Sequence, residues 1–542
     1  MEIIPTKAQE RVINTHENCV VIACPGSGKT FVLSEKIKSI LPELPRYRGV
    51  IAISYTNKAS SELERRCLTA GIDRKGSFFG TIHKFCQSEI IIPFGKQVFG
   101  IPENCLKIQK KANLSQEEHK NFEFIRGNDL SLEIFEQYVE IFKSYFLKGI
   151  LLLESTGAFA LYILSKSKAC RNYLTARYSH LIIDEYQHSG FEQHLMLLKL
   201  SELGLIAIAV GDTDQSIYAY DGKSSEYLLS LATENTNFNL FSLEKNHRCH
   251  PSIINYSLRL LNKKSNLLET DEIRVYEKSI IGDEEMISKW IDKHISKICD
   301  HFGLSKMNNV GILTRTNRTS ELVSRYIKTK HKLFINDELE NHFSLWSNLF
   351  CGILSILLDP AAYKFDLITD YLKENIEDTK SRKVYSILNK LDLQNEFDTT
   401  TVVQKYVEIA QIIFPNLENA DSIQILTNIL NSVERIRRFK PAEDDEIQIM
   451  TLHKAKGLEF DIVFHLDLHE YVFPSKNYKN NPPTYPSWQQ DLNLHYVGIT
   501  RARKACYLLI NNQRHNKRME KWSGNPSEFL SINNLSQIRK RL

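Results

Sequence analysis

A short apolar run, a glycine-rich loop and a helical pattern follow one another directly near the amino terminus. The run 19–23 predicts a buried strand, and Leu33, Ile37 and Ile40 recur at helical spacing beyond the loop. Glycines let backbone N–H groups turn inward, and the N-terminus of a helix adds partial positive charge. This order of elements predicts a phosphate cradle. Its residues are Ala23, Cys24, Pro25, Gly26, Ser27, Gly28, Lys29 and Thr30.

Two side chains at the end of this loop can contact a nucleoside triphosphate directly. The ammonium of Lys29 can reach the terminal phosphates, and the hydroxyl of Thr30 can hold a magnesium ion. The loop ends as a P-loop does, although Ala23 stands where the usual pattern has its first glycine. We therefore expect ATP and Mg²⁺ as ligands.

The composition limits the class of protein. A chain of 542 residues predicts about three or four domains, and 42% hydrophobic with 25% charged residues is ordinary for a soluble globular protein. The start has no signal-peptide pattern, no uncharged apolar run reaches ~18 residues, and the ten cysteines form no CxxC pair. We therefore expect a cytoplasmic protein with free thiols and no membrane partner.

Two adjacent carboxylates, Asp184 and Glu185, follow the apolar run 180–183. A carboxylate at a strand tip can hold magnesium, and its neighbour can orient or deprotonate the attacking water. An Asp-Glu pair alone is weak evidence, but the P-loop before it strengthens the interpretation. The long spacing from Lys29 implies an insertion between the two elements.

A third strand-like run, 205–210, precedes a polar segment that contains Gln215, Tyr218 and Tyr220. The amide of Gln215 could sense a γ-phosphate. The two tyrosines alternate and could stack on bases in one groove, at about 1–3 kcal/mol per base. Packing in the core or at its rim is the alternative role for both rings.

Strand-like and helical segments in the second half outline another α/β lobe. The apolar runs 310–314, 461–466 and 506–510 predict strands, and Arg501 precedes the last of them. A single arginine is usually a surface charge. An arginine that a second lobe supplies to a phosphate site is instead worth ~10³–10⁵ in rate.

These motifs, in this order, resemble the UvrD/Rep/PcrA class of superfamily-one DNA helicases over nearly the whole chain, and that class usually has alanine at the position of Ala23. The resemblance implies that Gln9 reads the adenine edge, Arg248 touches the γ-phosphate and Arg501 is an arginine finger. It also implies that His247 lies at the adenine and Glu459 at the nucleotide sugar. The implied DNA contacts are Tyr55, Thr56, Asn57, His83, Tyr218, Tyr220, His453 and Lys456.

The sequence departs from that class at a few of these positions. His188 stands where aspartate is usual, and His247 replaces a tyrosine that usually stacks on adenine. Asp221 follows Tyr220 where basic residues are common, and a carboxylate beside DNA weakens phosphate contacts. The departures leave the ATP chemistry intact and argue against vigorous strand separation.

The implied fold class is α/β, with two RecA-like P-loop lobes. Each lobe has a parallel sheet flanked by helices, and each carries a mostly helical insertion. We expect the first lobe over 1–90 and 168–245, with its insertion over 91–167. We expect the second lobe over 246–330 and 440–542, with a reduced insertion over 331–439.

The segment 88–100 and the compact length carry a narrower resemblance, to the helicase-like subunit of the Gabija anti-phage defence system. That subunit works beside an OLD-type nuclease subunit with a Toprim domain, which implies a hetero-oligomer that acts on DNA. The leading hypothesis is a DNA-stimulated ATPase with translocase or helicase activity, 3′ to 5′ by resemblance, that serves anti-phage defence.

Two alternatives remain. The first is a nucleotide-gated sensor of DNA ends that activates a partner without unwinding, and the altered residues around Tyr220 and at His188 motivate it. The second is a stand-alone DNA repair helicase.

Overall fold

A computed structural model describes residues 4–542 apart from several short gaps. The gaps are 56, 69–71, 105, 110, 112–113, 126–129, 213–225, 234–236, 343, 361, 373–378, 394–396, 416–418, 478–483 and 517, together with the side chains of 57, 58, 365, 366, 369 and 370. In the part of the chain so described, no helix combines the length and the apolar character needed to cross a membrane.

The first sheet has six strands, and all of its pairings are parallel. Helices cover both faces, so the inner strands Cys19–Ala23, Gly49–Ile53 and Ile206–Gly211 are continuously apolar rather than alternating, whereas the edge strand Asn239–Leu243 is mostly exposed. In spatial order the strands are Phe78–Gly80, Gly49–Ile53, Tyr178–Ile183, Ile206–Gly211, Cys19–Ala23 and Asn239–Leu243. Because parallel strands end at one edge, the segments that follow Ala23, Ile183 and Gly211 meet there.

The helices of the first lobe pack on the two faces of this sheet. Thr6 begins the first helix with a capping box, in which its side chain accepts from the N–H of Gln9 and the Gln9 side chain accepts from the N–H of Thr6. The helices are Lys7–Asn14, Lys29–Ile40, Asn57–Cys67, Lys168–Arg177, Phe191–Glu202 and Glu226–Ser230.

The first insertion is mostly helical, as the sequence predicts. It is entered through one continuous helical rod, in which Ile82–Phe85 passes into a π-helical stretch, Cys86–Ile91, and then into Ile92–Phe99. The rod therefore crosses the boundary predicted between residues 90 and 91. The other elements are the helices Gln116–Lys120, Leu132–Gln137, Val139–Leu147 and Thr156–Lys166 and the parallel strands Lys107–Gln109 and Ile150–Leu152.

The second sheet has seven strands, again all paired in parallel, so the predicted fold class is confirmed. In spatial order they are His331–Phe334, Ile447–Thr451, Val310–Thr314, Phe460–His465, Ala502–Asn511, Val275–Ile280 and Lys540–Arg541. A small antiparallel hairpin joins Gln513–His515 to Lys521–Ser523. The helices of this lobe are Pro251–Leu261, Glu284–His301, Asn317–Tyr326 and Trp488–Thr500.

In its described residues the second insertion has helices as its only regular elements, and it has its own hydrophobic core around Trp346 and Tyr406. It leaves the sheet after Phe334 and returns at Ile447. Its helices are Glu338–Asn341, Leu345–Leu358, Lys364–Leu372, Thr379–Asn389, Thr399–Ile413, Ala420–Leu430 and Val433–Phe439.

Candidate nucleotide site between the two lobes

The predicted phosphate cradle lies at the carboxyl edge of the first sheet, between the strand Cys19–Ala23 and the helix Lys29–Ile40. Gly26 and Gly28 have φ of +68° and +82°, a region that only glycine adopts without strain. Ser27 Oγ is buried and makes no hydrogen bond within the described residues. Glycine geometry and an unused buried hydroxyl fit a loop shaped to receive phosphate oxygens.

Asn246 and Arg248, at the start of the second lobe, lie so close to Gly26 that a side chain at this position would collide with them. A Cβ at Gly26 would lie 2.6 Å from both Arg248 Cβ and Asn246 Oδ1. Gly303 has a similar positive φ, +59°, but a Cβ there would meet nothing within 4 Å. Alanine at Gly303 would therefore add backbone strain alone, whereas alanine at Gly26 would add backbone strain and a collision with Asn246 and Arg248.

Gly26→Ala is expected to weaken ATP binding by about tenfold or more, because the loop must move away from Asn246 and Arg248. Gly303→Ala, which carries the same backbone penalty of ~1–2 kcal/mol, should leave ATP affinity unchanged. Titration with a fluorescent ATP analogue measures both. Equal affinities in the two variants would contradict the role of the close approach.

Lys29 points back across the loop to the end of the neighbouring strand. Its Nζ donates to the carbonyl of Ala23 at 3.3 Å and lies 3.5 Å from Asp212 Oδ2. Asp212 is 2% exposed, and its N–H donates to Gln187 Oε1 at 3.0 Å. Asp212 was not predicted as a site residue, although its place directly after the third predicted strand was a signal.

The two predicted carboxylates lie at the end of the strand Tyr178–Ile183 and differ in their surroundings. Burial, with Glu185 as its close neighbour, raises the pKa of Asp184. Burial alone would raise the pKa of Glu185, but the ammonium of Lys456, 3.1 Å from Glu185 Oε2, lowers it. The same Oε2 accepts from Gln187 Nε2 at 2.9 Å. Glu185 is therefore ionised inside the cleft.

The second lobe forms the opposite wall of the cleft with two arginines. Arg248 Nη2 lies 2.6 Å from Glu459 Oε1, and its Nη1 donates to the carbonyl of Thr500 at 3.4 Å. Arg501 is 2% exposed and donates to the carbonyls of Val497 and Leu458, each at 3.3 Å. Burial, with Arg248 nearby, lowers the pKa of Arg501 to about 10, so it remains charged.

The two residues predicted to contact adenine flank the loop. Gln9 is buried, its Oε1 accepts from the N–H of Thr6 at 2.8 Å, and its Nε2 donates to the carbonyl of Ser27 at 2.9 Å. The backbone N–H of His247 donates to the carbonyl of Gly26 at 2.8 Å, and its side chain is exposed. Gln9 thus fixes the loop itself, while the imidazole of His247 is open to a ligand.

The predicted DNA contacts are distributed over both lobes. Tyr55 follows the strand Gly49–Ile53, and His83 lies on the short helix Ile82–Phe85. His453 follows the strand Ile447–Thr451, and burial, together with Arg315, lowers its pKa to about 4. Lys456 contacts Glu185, so the structure places it in the nucleotide cleft. Thr56, Gln215, Tyr218, Tyr220 and the side chain of Asn57 lie outside the described residues.

Comparison with known proteins gives two family matches. Residues 6–221 match the AAA domain, and residues 359–513 match the UvrD-like helicase C-terminal domain. The chain is 26% identical to the Gabija protein GajB of Bacillus cereus (strain VD045), over 95% of this chain and 97% of that protein. It is 22% identical to the ATP-dependent DNA helicase Rep of Buchnera aphidicola subsp. Schizaphis graminum (strain Sg), over 94% of each. It is 21% identical to the ATP-dependent DNA helicase PcrA of Bacillus subtilis (strain 168), over 92% of this chain and 82% of that protein.

Proposed function

From the similarity of this chain to the UvrD-like helicases, we propose that it is a DNA-stimulated ATPase with translocase or helicase activity. One observation supports this most directly. Lys456 of the second lobe contacts Glu185 of the first lobe, and Glu459 of the same segment pairs with Arg248 within the second-lobe wall. A site lined by two lobes can couple their relative movement to the presence of ATP.

Each residue of the cleft has a role that follows from its position. Lys29 would neutralise the terminal phosphates, and Glu185 would orient the attacking water. Thr30 and Asp184 would hold Mg²⁺, which supplies a Lewis acid for the phosphate charge. Arg248 and Arg501 would neutralise the charge that develops in the transition state. The lobes would close on ATP and open after hydrolysis, which moves them along a DNA strand in the 3′ to 5′ direction.

We further propose that the activity serves anti-phage defence beside an OLD-type nuclease subunit with a Toprim domain. The similarity to the Gabija protein GajB, which extends over 95% of this chain and 97% of that protein, supports this role. A complex that co-purifies with the nuclease subunit through size exclusion is the expected result. Two separate elution peaks at micromolar concentration would instead favour a stand-alone repair helicase.

A sensor of DNA ends that activates its partner without unwinding is the second candidate function. His188, which replaces the usual aspartate, contacts both Glu185 and Lys456, so the cleft itself departs from the helicase pattern. Strand displacement on duplexes with a 3′ or a 5′ tail separates the two functions. A helicase displaces the strand from the 3′-tailed duplex, whereas a sensor hydrolyses ATP on both substrates and displaces neither strand.

Tyr220→Ala is expected to weaken binding to single-stranded DNA by about 1–3 kcal/mol, because one stacking ring is removed. ATP affinity should be much less affected. Fluorescence anisotropy with a labelled oligonucleotide measures the first quantity, and Tyr220→Phe, which keeps the ring, is the matched control. Equal DNA affinity in the wild type and the alanine variant would remove Tyr220 from the DNA track.

A further inference from the structure

His188 lies between a candidate DNA contact and the candidate catalytic carboxylate. The side chain is buried, with 1% exposure. On one side its ring centroid is 5.1 Å from that of Tyr55. On the other side its Nε2 lies 3.7 Å from Glu185 Oε2 and contacts Lys456 Nζ. The His188 ring therefore contacts both Tyr55, a candidate DNA contact, and Glu185, the candidate catalytic carboxylate.

The backbone explains why these groups meet. Glu185 has a left-handed conformation, φ +56°, and turns the chain into the 3₁₀ turn Tyr186–His188. The N–H of His188 donates to the carbonyl of Glu185 at 3.0 Å, which returns the imidazole beside the carboxylate. Tyr55 follows the neighbouring parallel strand, Gly49–Ile53, so it reaches the same edge of the sheet.

Lys456 is shared between the two residues of this turn. Its ammonium lies 3.1 Å from Glu185 Oε2 and also contacts the imidazole of His188. An ammonium paired with Glu185 competes with the water that this carboxylate would orient. The position of the His188 ring therefore influences how strongly Lys456 pairs with Glu185.

We propose that His188 is a positioning residue that couples DNA bound at Tyr55 to the release of Glu185 from Lys456. This inference rests on the proposed DNA-stimulated ATPase. A base that stacks on Tyr55 displaces that ring against His188, and the close-packed imidazole transmits the shift to Lys456. Glu185 is then free to act on water, and hydrolysis accelerates. An aspartate at this position would have no ring in contact with Tyr55 and would not transmit the displacement of that ring.

The decisive quantity is the ratio of kcat for ATP with saturating oligo-dT to kcat without DNA. In His188→Ala this ratio should fall by about tenfold, within the range of ordinary coupling energies. His188→Phe keeps a ring against Tyr55 without an acceptor for Lys456, and His188→Gln keeps an acceptor without the ring. Both should lose the stimulation, because coupling needs contacts on both sides. Adding Tyr55→Ala to His188→Ala should cause no further loss.

His194→Ala is the matched control, since this nearby buried histidine hydrogen-bonds Tyr186 at 2.9 Å. It should keep the wild-type ratio even if its melting temperature falls. A wild-type ratio in His188→Phe or His188→Gln would overturn the proposal, and so would a loss explained by weaker DNA binding or by a uniform fall of both rates. A wild-type protein without any DNA stimulation would instead overturn the proposed function.

Discussion

Lys29→Ala is expected to lower the rate of ATP hydrolysis by about 10²–10³-fold, with or without DNA. Lys29 is the cation that the first lobe presents at the phosphate loop, where its Nζ bridges the carbonyl of Ala23 and the carboxylate of Asp212. Alanine removes the charge that would meet the terminal phosphates. A coupled phosphate-release assay at saturating ATP measures the loss.

Lys38→Ala is the control for this substitution. Lys38 lies on the same helix but pairs with Glu35 at 2.8 Å, away from the loop. It should hydrolyse ATP at the wild-type rate. The circular dichroism spectrum of Lys29→Ala should match that of the wild type, and DNA-dependent turnover in that variant would contradict the assignment of the site.

Arg501→Ala is expected to reduce kcat by ~10³–10⁵ while ATP affinity falls far less. Arg501 is held by the carbonyls of Val497 and Leu458 at the second-lobe wall, within electrostatic reach of Glu185 and Arg248. It can therefore act on charge that develops during phosphoryl transfer. Single-turnover hydrolysis separates this loss from any effect on binding.

Two variants make this second prediction specific. Arg501→Lys keeps the charge but loses the planar fork of donors, so it should recover only part of the rate. Arg503→Ala removes a neighbouring arginine that pairs with Asp461 at 2.8 Å, and it should stay close to the wild type. Equal losses in Arg501→Ala and Arg503→Ala would show that the effect is one of folding.

Local patterns predicted the parts of the site that lie within one strand and its following loop. The cradle around Lys29 and the pair Asp184 and Glu185 are of this kind, because a strand end and a turn are visible in the sequence. The parallel sheets and the helical insertions also followed from the order of the motifs and from the resemblance they carry.

The partners of these groups could not be predicted, because they depend on which strands lie side by side and on how the lobes meet. Asp212 becomes a neighbour of Lys29 only when the strand Ile206–Gly211 pairs with Cys19–Ala23. Lys456 was expected to contact DNA, yet its ammonium meets Glu185 across the cleft. The roles of these residues stay predictions until the variants are measured.

The second insertion occupies a position that has a consequence for the evolution and engineering of this chain. His331–Phe334 and Ile447–Thr451 are adjacent parallel strands, with His331 opposite Ile447. Adjacent parallel strands need a crossover of only about a dozen residues, usually one helix. The entire helical insertion, with its separate core, takes the place of that connection. Its length can therefore change while the strands on either side keep their register, and with them the sheet whose strand Ala502–Asn511 directly follows Arg501.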